Sequence, residues 1–160
     1  MNVDHSFAVS VEWKGNRGTG TSGYKDFSRA VETRAEGKHA IHASAARPFH
    51  GDADRWNPEE QLIASLAQCH LLSYLHVATK AGVVVVSYLD AATGTLQTNS
   101  DGSGAIVEVV LRPVVTISAG DPAAALALHA EANRLCFIAN SVNFPVRHEP
   151  QILLLDDDRS

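Results

Sequence analysis

A chain of 160 residues, 45% hydrophobic and 19% charged, is long enough to bury a core as one soluble domain. Its net charge of −5, without a basic block, excludes the usual electrostatics of nucleic-acid binding. Two cysteines, Cys69 and Cys136, are too few for a disulfide scaffold.

The N-terminus, MNVDHSFAVSVEWKG, has neither a basic n-region nor an apolar h-region, so no secretory signal is expected. No run of about 18 or more apolar residues is present, and no membrane-spanning segment or membrane partner is expected. A reducing cytoplasm is the default location, where a pair of cysteines is either buried filler or redox chemistry.

In chain order, SFAVSVEW alternates, with Phe7, Val9, Val11 and Trp13 on one face, which predicts a half-buried strand. GNRGTGTSG follows as a glycine-rich turn that carries Arg17. FSRAVET and HAIHASA are further strand candidates, and RPFHGDADRW reads as a loop. NPEEQLIASLAQCHLLSYLHVATKAG is then a long helix. Asn57 caps it, Pro58 takes the first turn, Glu60 holds the capping-box position, and Gly82 stops it. Leu62, Ile63, Leu66, Ala67, Leu71, Leu72, Leu75 and Val77 make it apolar on most sides, as in a central helix covered on several faces.

VVVVSYLD reads as a buried strand, GTLQTN as another, and SDGSG as a turn. AIVEVVLRPVVTI predicts one long strand, with Pro113 marking a bulge or an edge. Asp121-Pro122 opens a second helix, AAALALHAEANRLCFIANS, with Cys136 towards its end, and PQILLL closes as a strand before a frayed DDDRS tail. Grouped strands around two helices argue for an α+β fold, in one domain spanning 1–160.

Cys69 and Cys136 have two readings. Both can be small core hydrophobes, since free Cys is among the most buried residues. They can also be a redox pair, in which one thiolate attacks a peroxide and a second thiol condenses with the sulfenic acid. That chemistry needs a cation to lower a thiol pKa, and the two Cβ atoms within about 4 Å. With 67 positions between them, only tertiary packing can join them. His70 points about 100° away from Cys69 on a helix, which argues against direct activation, and His76, His129 and His148 are partners or plain surface residues. No CxxC or HExxH supports a metal site, GNRGTG lacks the Lys-Ser/Thr ending of a P-loop, and no cofactor is implied.

NPEEQLIASLAQCH, the later LCFIANSVNFPV and the N-terminal WKGNRGTG, in this order, resemble the signature segments of the OsmC/Ohr family, the osmotically inducible and organic-hydroperoxide-resistance proteins. The resemblance covers nearly the whole chain. It implies antiparallel sheets wrapped around a long central helix, an intertwined homodimer with sites built from both chains, and a thiol-dependent peroxidase acting on organic hydroperoxides. By position, Cys69 matches the peroxidatic cysteine and Cys136 the resolving one. Arg17 matches the arginine that activates the thiolate and orients the peroxide, and Glu59 the carboxylate that pairs with it. The family's disulfide is re-reduced by a dithiol such as a lipoyl group. Phe137 stands where the best-known subgroups place Pro.

Ten residues of helix separate Glu59 from Cys69 by about 15 Å, so within one straight helix they cannot meet. If Glu59 serves Cys69, it does so from a second chain, which makes a dimer a requirement of the peroxidase reading. Leu66 and Leu72 are expected to line an apolar pocket that favours bulky peroxides over hydrogen peroxide. The rival readings are a hydrolase with Cys69 as nucleophile and His129 or His148 as base, a small-ligand binding protein with inert thiols, and a purely structural dimer.

Overall fold

The computed structural model describes residues 2–155, and the DDDRS tail lies outside them. The fold is α+β, and it divides into two compact units, Met1–Gln61 and Leu62–Ser160.

Unit 1 carries a three-stranded antiparallel sheet, β1 (Ser10–Trp13), β2 (Val31–Arg34) and β3 (Ile41–Ala43), in that order. The sheet is thin. Strand β1 is exposed along its length and shorter than the alternation predicts, and Phe7 is 93% exposed. The apolar side chains of the predicted face, Phe7, Val9 and Val11, are exposed, while Trp13 meets Phe27 edge-on. The glycine-rich segment is a turn organised by Asn16, whose side-chain oxygen accepts from the backbone N–H groups of Gly18 and Gly20 at 2.9 and 3.0 Å. Gly18 and Gly20 sit at φ 111° and 61°, where a side chain is strained, so their spacing is conformational. RPFHGDADRW contains one 3-10 turn, Arg47–Phe49.

Helix α1 runs Pro58–Lys80. It starts where predicted, with the Glu60 N–H donating to the Asn57 side chain at 2.9 Å. It ends in a Schellman motif. Gly82, at φ 70°, donates to the Thr79 carbonyl at 3.2 Å, and Val83 donates to that of Ala78 at 3.0 Å. By length and mean hydropathy alone α1 reaches the lower bound of a membrane-crossing segment, a bound that core helices also reach. In unit 2 it packs as a core helix.

Unit 2 holds two further sheets. One has strands β4 (Val84–Asp90), β7 (Pro113–Ala119) and β9 (Gln151–Leu154) in the order β4-β7-β9. The other has β5 (Thr93–Thr98), β6 (Gly104–Leu111) and β8 (Val146–His148) in the order β5-β6-β8. The β6–β8 and β7–β9 pairings are parallel, so the sheets are mixed rather than purely antiparallel. The stretch predicted as one long strand is two, in different sheets. At the break the Arg112 N–H donates to Asp90 at 2.7 Å, and Pro113, with no N–H to give a ladder, opens β7. Strand β4 lies at a sheet edge with Val84, Val86 and Leu89 exposed, not buried as its apolar run suggests.

Two core clusters sit on α1. Leu66 packs with Val109 and Leu111 of β6, while Tyr74, Val77 and Ala78 pack with Val115 and Ile117 of β7 and with Ala125 and Ala132 of helix α2 (Pro122–Leu135). Strand β5 comes so close to α1 that a Cβ on Gly94 would stand 2.5 Å from the Ile63 side chain. Within this chain α1 buries a single stripe, Leu66, His70, Tyr74, Val77 and Ala78, rather than several faces. Helix α2 is capped by Asp121, which accepts from the Ala124 N–H at 2.7 Å, and it stops at Leu135, one residue before Cys136.

Candidate functional site

The cavity that contains Cys69 lies along one face of α1. Positions three, four and seven residues apart share a helix face, so Ser65, Cys69, Leu72, Ser73 and His76 line up, with Gln68 beside them. Leu135, Phe137 and Ile138, from the end of α2 and the turn after it, form the opposite wall. The cavity is open, has a volume of about 550 Å³ and is largely apolar. Neither Lys nor Arg is among these lining residues.

Cys136 is fixed at the point where α2 stops. Its N–H donates to the Asn133 carbonyl at 3.2 Å, its carbonyl accepts from the Asn140 N–H at 3.1 Å, and its Sγ accepts from the Ala139 N–H at 3.4 Å. It is 1% exposed, whereas Cys69 is half-buried. Both thiols are free. Burial pushes the Cys136 thiol up to about 11, and the neighbouring Cys69 thiol adds to the rise.

The fold thus brings Cys69, Cys136 and Leu72 together. Leu66, expected in the pocket, is instead fully buried in the core against β6. It stands three residues from Cys69, on the side of the stripe that turns inward. Arg17 and Glu59 belong to unit 1 and are not paired with each other. Among the described residues the Arg17 Nη1 reaches the Lys25 carbonyl, at 3.4 Å. The Glu59 Oε2 is buried and has no hydrogen-bond partner among the described residues. At the start of α1 the cap is the Asn57 side chain, which accepts from the Glu60 N–H. The helical spacing from Cys69 points to Ser65, Ser73 and His76. Leu135, Phe137 and Ile138 reach the wall only because α2 ends early.

Behind the cavity, on the buried stripe, the sequence gives no warning of a polar cluster. The His70 Nε2 and the His129 Nδ1 lie 3.0 Å apart, both residues are buried, and the His148 ring meets His70 edge-on at 5.4 Å. The Tyr74 ring stacks on His129 at 4.0 Å, and its hydroxyl donates to the Ala125 carbonyl at 3.0 Å. A neutral imidazole pair shares one proton along its hydrogen bond and leaves one N–H and one lone pair at its outer ends. Those ends, the His70 Nδ1 and the His129 Nε2, have no partner among the described residues. Burial pushes His70 down to about 4 and His129 to about 3, and each is lowered further by neighbouring imidazoles. The pair is neutral at physiological pH. No group of three or more metal-binding side chains occurs among the described residues.

A long helix bearing a half-buried thiol, a buried second thiol beside it and an apolar cavity over both define a two-cysteine α+β protein. The family model of OsmC-like proteins matches residues 51–151, and the chain belongs to that family. It is similar to an OsmC-like protein of unknown function from Vibrio cholerae, with 33% identity over 92% of this chain and 99% of that one, at a TM-score of 0.79. It shares its fold with an organic hydroperoxide resistance protein from Elizabethkingia anophelis, at 15% identity over 97% of this chain and 100% of that one (TM-score 0.69). Another such protein, from Legionella pneumophila, aligns at 17% identity over 95% and 99% (TM-score 0.65). No curated protein matches the sequence.

Proposed function

We propose that the protein is a thiol-dependent peroxidase that reduces organic, lipid-type hydroperoxides to alcohols. One observation carries the reading: two free thiols that neighbour each other, one of them at the wall of an apolar cavity. In the proposed cycle the Cys69 thiolate attacks the distal peroxide oxygen, the O–O bond breaks, and the alkoxide leaves with a proton as alcohol. The Cys69 sulfenic acid then condenses with the Cys136 thiol, forming a disulfide and releasing water. An external dithiol, such as a lipoyl group, takes over the disulfide and restores both thiols.

The cavity wall supplies no cation to hold Cys69 as thiolate, and the proposal assigns that task to Arg17. The orphaned Glu59 carboxylate is suited to bind Arg17, from the partner chain of a homodimer. Exposed apolar side chains such as Phe7, Val9 and Val11 are consistent with a surface that a second copy covers. The free thiols suit a reducing cytoplasm.

A second reading has its own support. The buried Cys136 thiol, raised to about 11, is a poor group to resolve a sulfenic acid, and no Lys or Arg lines the cavity beside Cys69, which suits a ligand-binding cavity with inert cysteines. Turnover of cumene hydroperoxide with a dithiol separates the two. The peroxidase reading expects activity to vanish in Cys69→Ser and multiple turnover to vanish in Cys136→Ser. A binding protein shows no turnover in any form and keeps its ligand affinity in both variants.

A further inference from the structure

The proposed cycle uses Cys69 and Cys136 but leaves unused the imidazole pair beside them in the fold. His70 follows Cys69 on α1, and His129 lies two turns before Cys136 on α2. Two directional bonds tie these helices: His70 to His129, and the Tyr74 hydroxyl to the Ala125 carbonyl. Stepping forward one turn on α1, from 70 to 74, means stepping back one turn on α2, from 129 to 125. The helices therefore run in opposite senses here, and the two bonds index one against the other.

Apolar packing at this contact is poorly suited to that task. The buried residues between the helices include Ala78, Ala125 and Ala132, whose small side chains make shallow ridges that resist sliding weakly. An apolar pair of the same shape would avoid the two orphaned nitrogens, so the imidazoles are a poor choice for stability alone. Fixing register is the best-attested use of a buried polar pair.

We propose that His70 and His129 are positioning residues: their hydrogen bond sets the register of α2 on α1 that delivers Cys136 to Cys69. The inference rests on the thiol pair being redox-active. A slip of α2 along α1 would part the two sulfurs, whose bonding tolerates little misplacement.

The test is the equilibrium between the two thiols and mixtures of oxidised and reduced dithiothreitol, read by thiol alkylation and mass spectrometry. Oxidised dithiothreitol accepts the two electrons and two protons of the Cys69 and Cys136 thiols as their disulfide forms. Asn carries a polar atom at the place of the His Nδ1, so His129→Asn keeps the bond. It is expected to leave the equilibrium constant within twofold of wild type. His129→Leu fills the space without the bond and is expected to lower the constant at least tenfold, about 30 mV for this couple. His129→Gln moves its amide one bond further out and is expected to behave like Leu, which keeps the test open if the Leu variant does not fold.

A constant unchanged within twofold in folded His129→Leu or His129→Gln would overturn the inference, as would an equal tenfold loss in His129→Asn. A wild-type pair that cannot be oxidised overturns it together with the redox reading. A wild-type pair that forms its disulfide but turns over no hydroperoxide defeats the peroxidase reading alone and leaves the register inference standing.

Discussion

Cys69 and His70 are consecutive residues of one helix, yet they live in different chemical worlds. The face that carries Cys69 opens onto a cavity of about 550 Å³, with Leu72 57% exposed. The face that carries His70 is sealed between sheets and α2, and its imidazoles cannot accept a proton until the solution is far more acidic than their ordinary range. The rotation of about 100° per residue is the whole difference in position. Burial, more than neighbouring charge, decides which side chains ionise: it disfavours the thiolate of Cys136 and the imidazolium of His70 and His129 alike. The half-buried Cys69 is the thiol that substrate can reach.

The comparison predicts that variants sort by face. The largest effect belongs to the open face. Cys69→Ser is expected to lower kcat/KM for cumene hydroperoxide by at least about a thousandfold, in a protein whose melting temperature is unchanged. Next comes the sealed face under acid. Because the folded imidazoles are lowered from their ordinary 6.5, the unfolded chain binds more protons below that pH. Stability is therefore full above about pH 6.5 and falls towards pH 4. For the two imidazoles together the loss at pH 4 has an upper bound on the order of 6 kcal/mol, read by urea titration. It is offset in part by Asp90, whose carboxyl burial raises and whose folding contribution has the opposite sign. His70→Gln should flatten the curve.

Leucine truncations sharpen the contrast. Leu66→Ala, in the core under β6, is expected to cost about 2–5 kcal/mol with little change in kcat/KM once folded. Leu72→Ala, on the cavity wall, is expected to leave stability within about 1 kcal/mol and to narrow the preference for cumene hydroperoxide over hydrogen peroxide severalfold. The smallest effect is remote from both faces: Asp121→Ala removes the α2 cap and is expected to cost about 1 kcal/mol by thermal melting.

Local signals in the sequence were read well where one or two residues suffice. Asn57, Pro58 and Gly82 bracket α1, and Asp121-Pro122 starts α2, because caps act over a single turn. The limits of Cys136's surroundings were not legible. The helical pattern runs on past Leu135, and only the Asn133, Asn140 and Ala139 contacts show the chain leaving the helix at the thiol. The break at Arg112 hides for a similar reason. It is made by Asp90, Thr93 and Glu149, each far from Arg112 in sequence. The strand β8 is three residues long, too short to show a period. The imidazole pair joins positions 59 apart, and nothing in either helix's pattern distinguishes a buried histidine from a surface one. The early strand's apolar alternation is real but points to solvent in this chain, so periodicity found the face and not what covers it.

Whether Cys69 and Cys136 act as one redox pair is decided by peptide-mapped mass spectrometry of the reduced protein with one equivalent of cumene hydroperoxide. The expected result is a loss of two hydrogens, about 2 Da, mapped to a Cys69–Cys136 bond. Two thiols that stay free while only Met1 gains oxygen would contradict it.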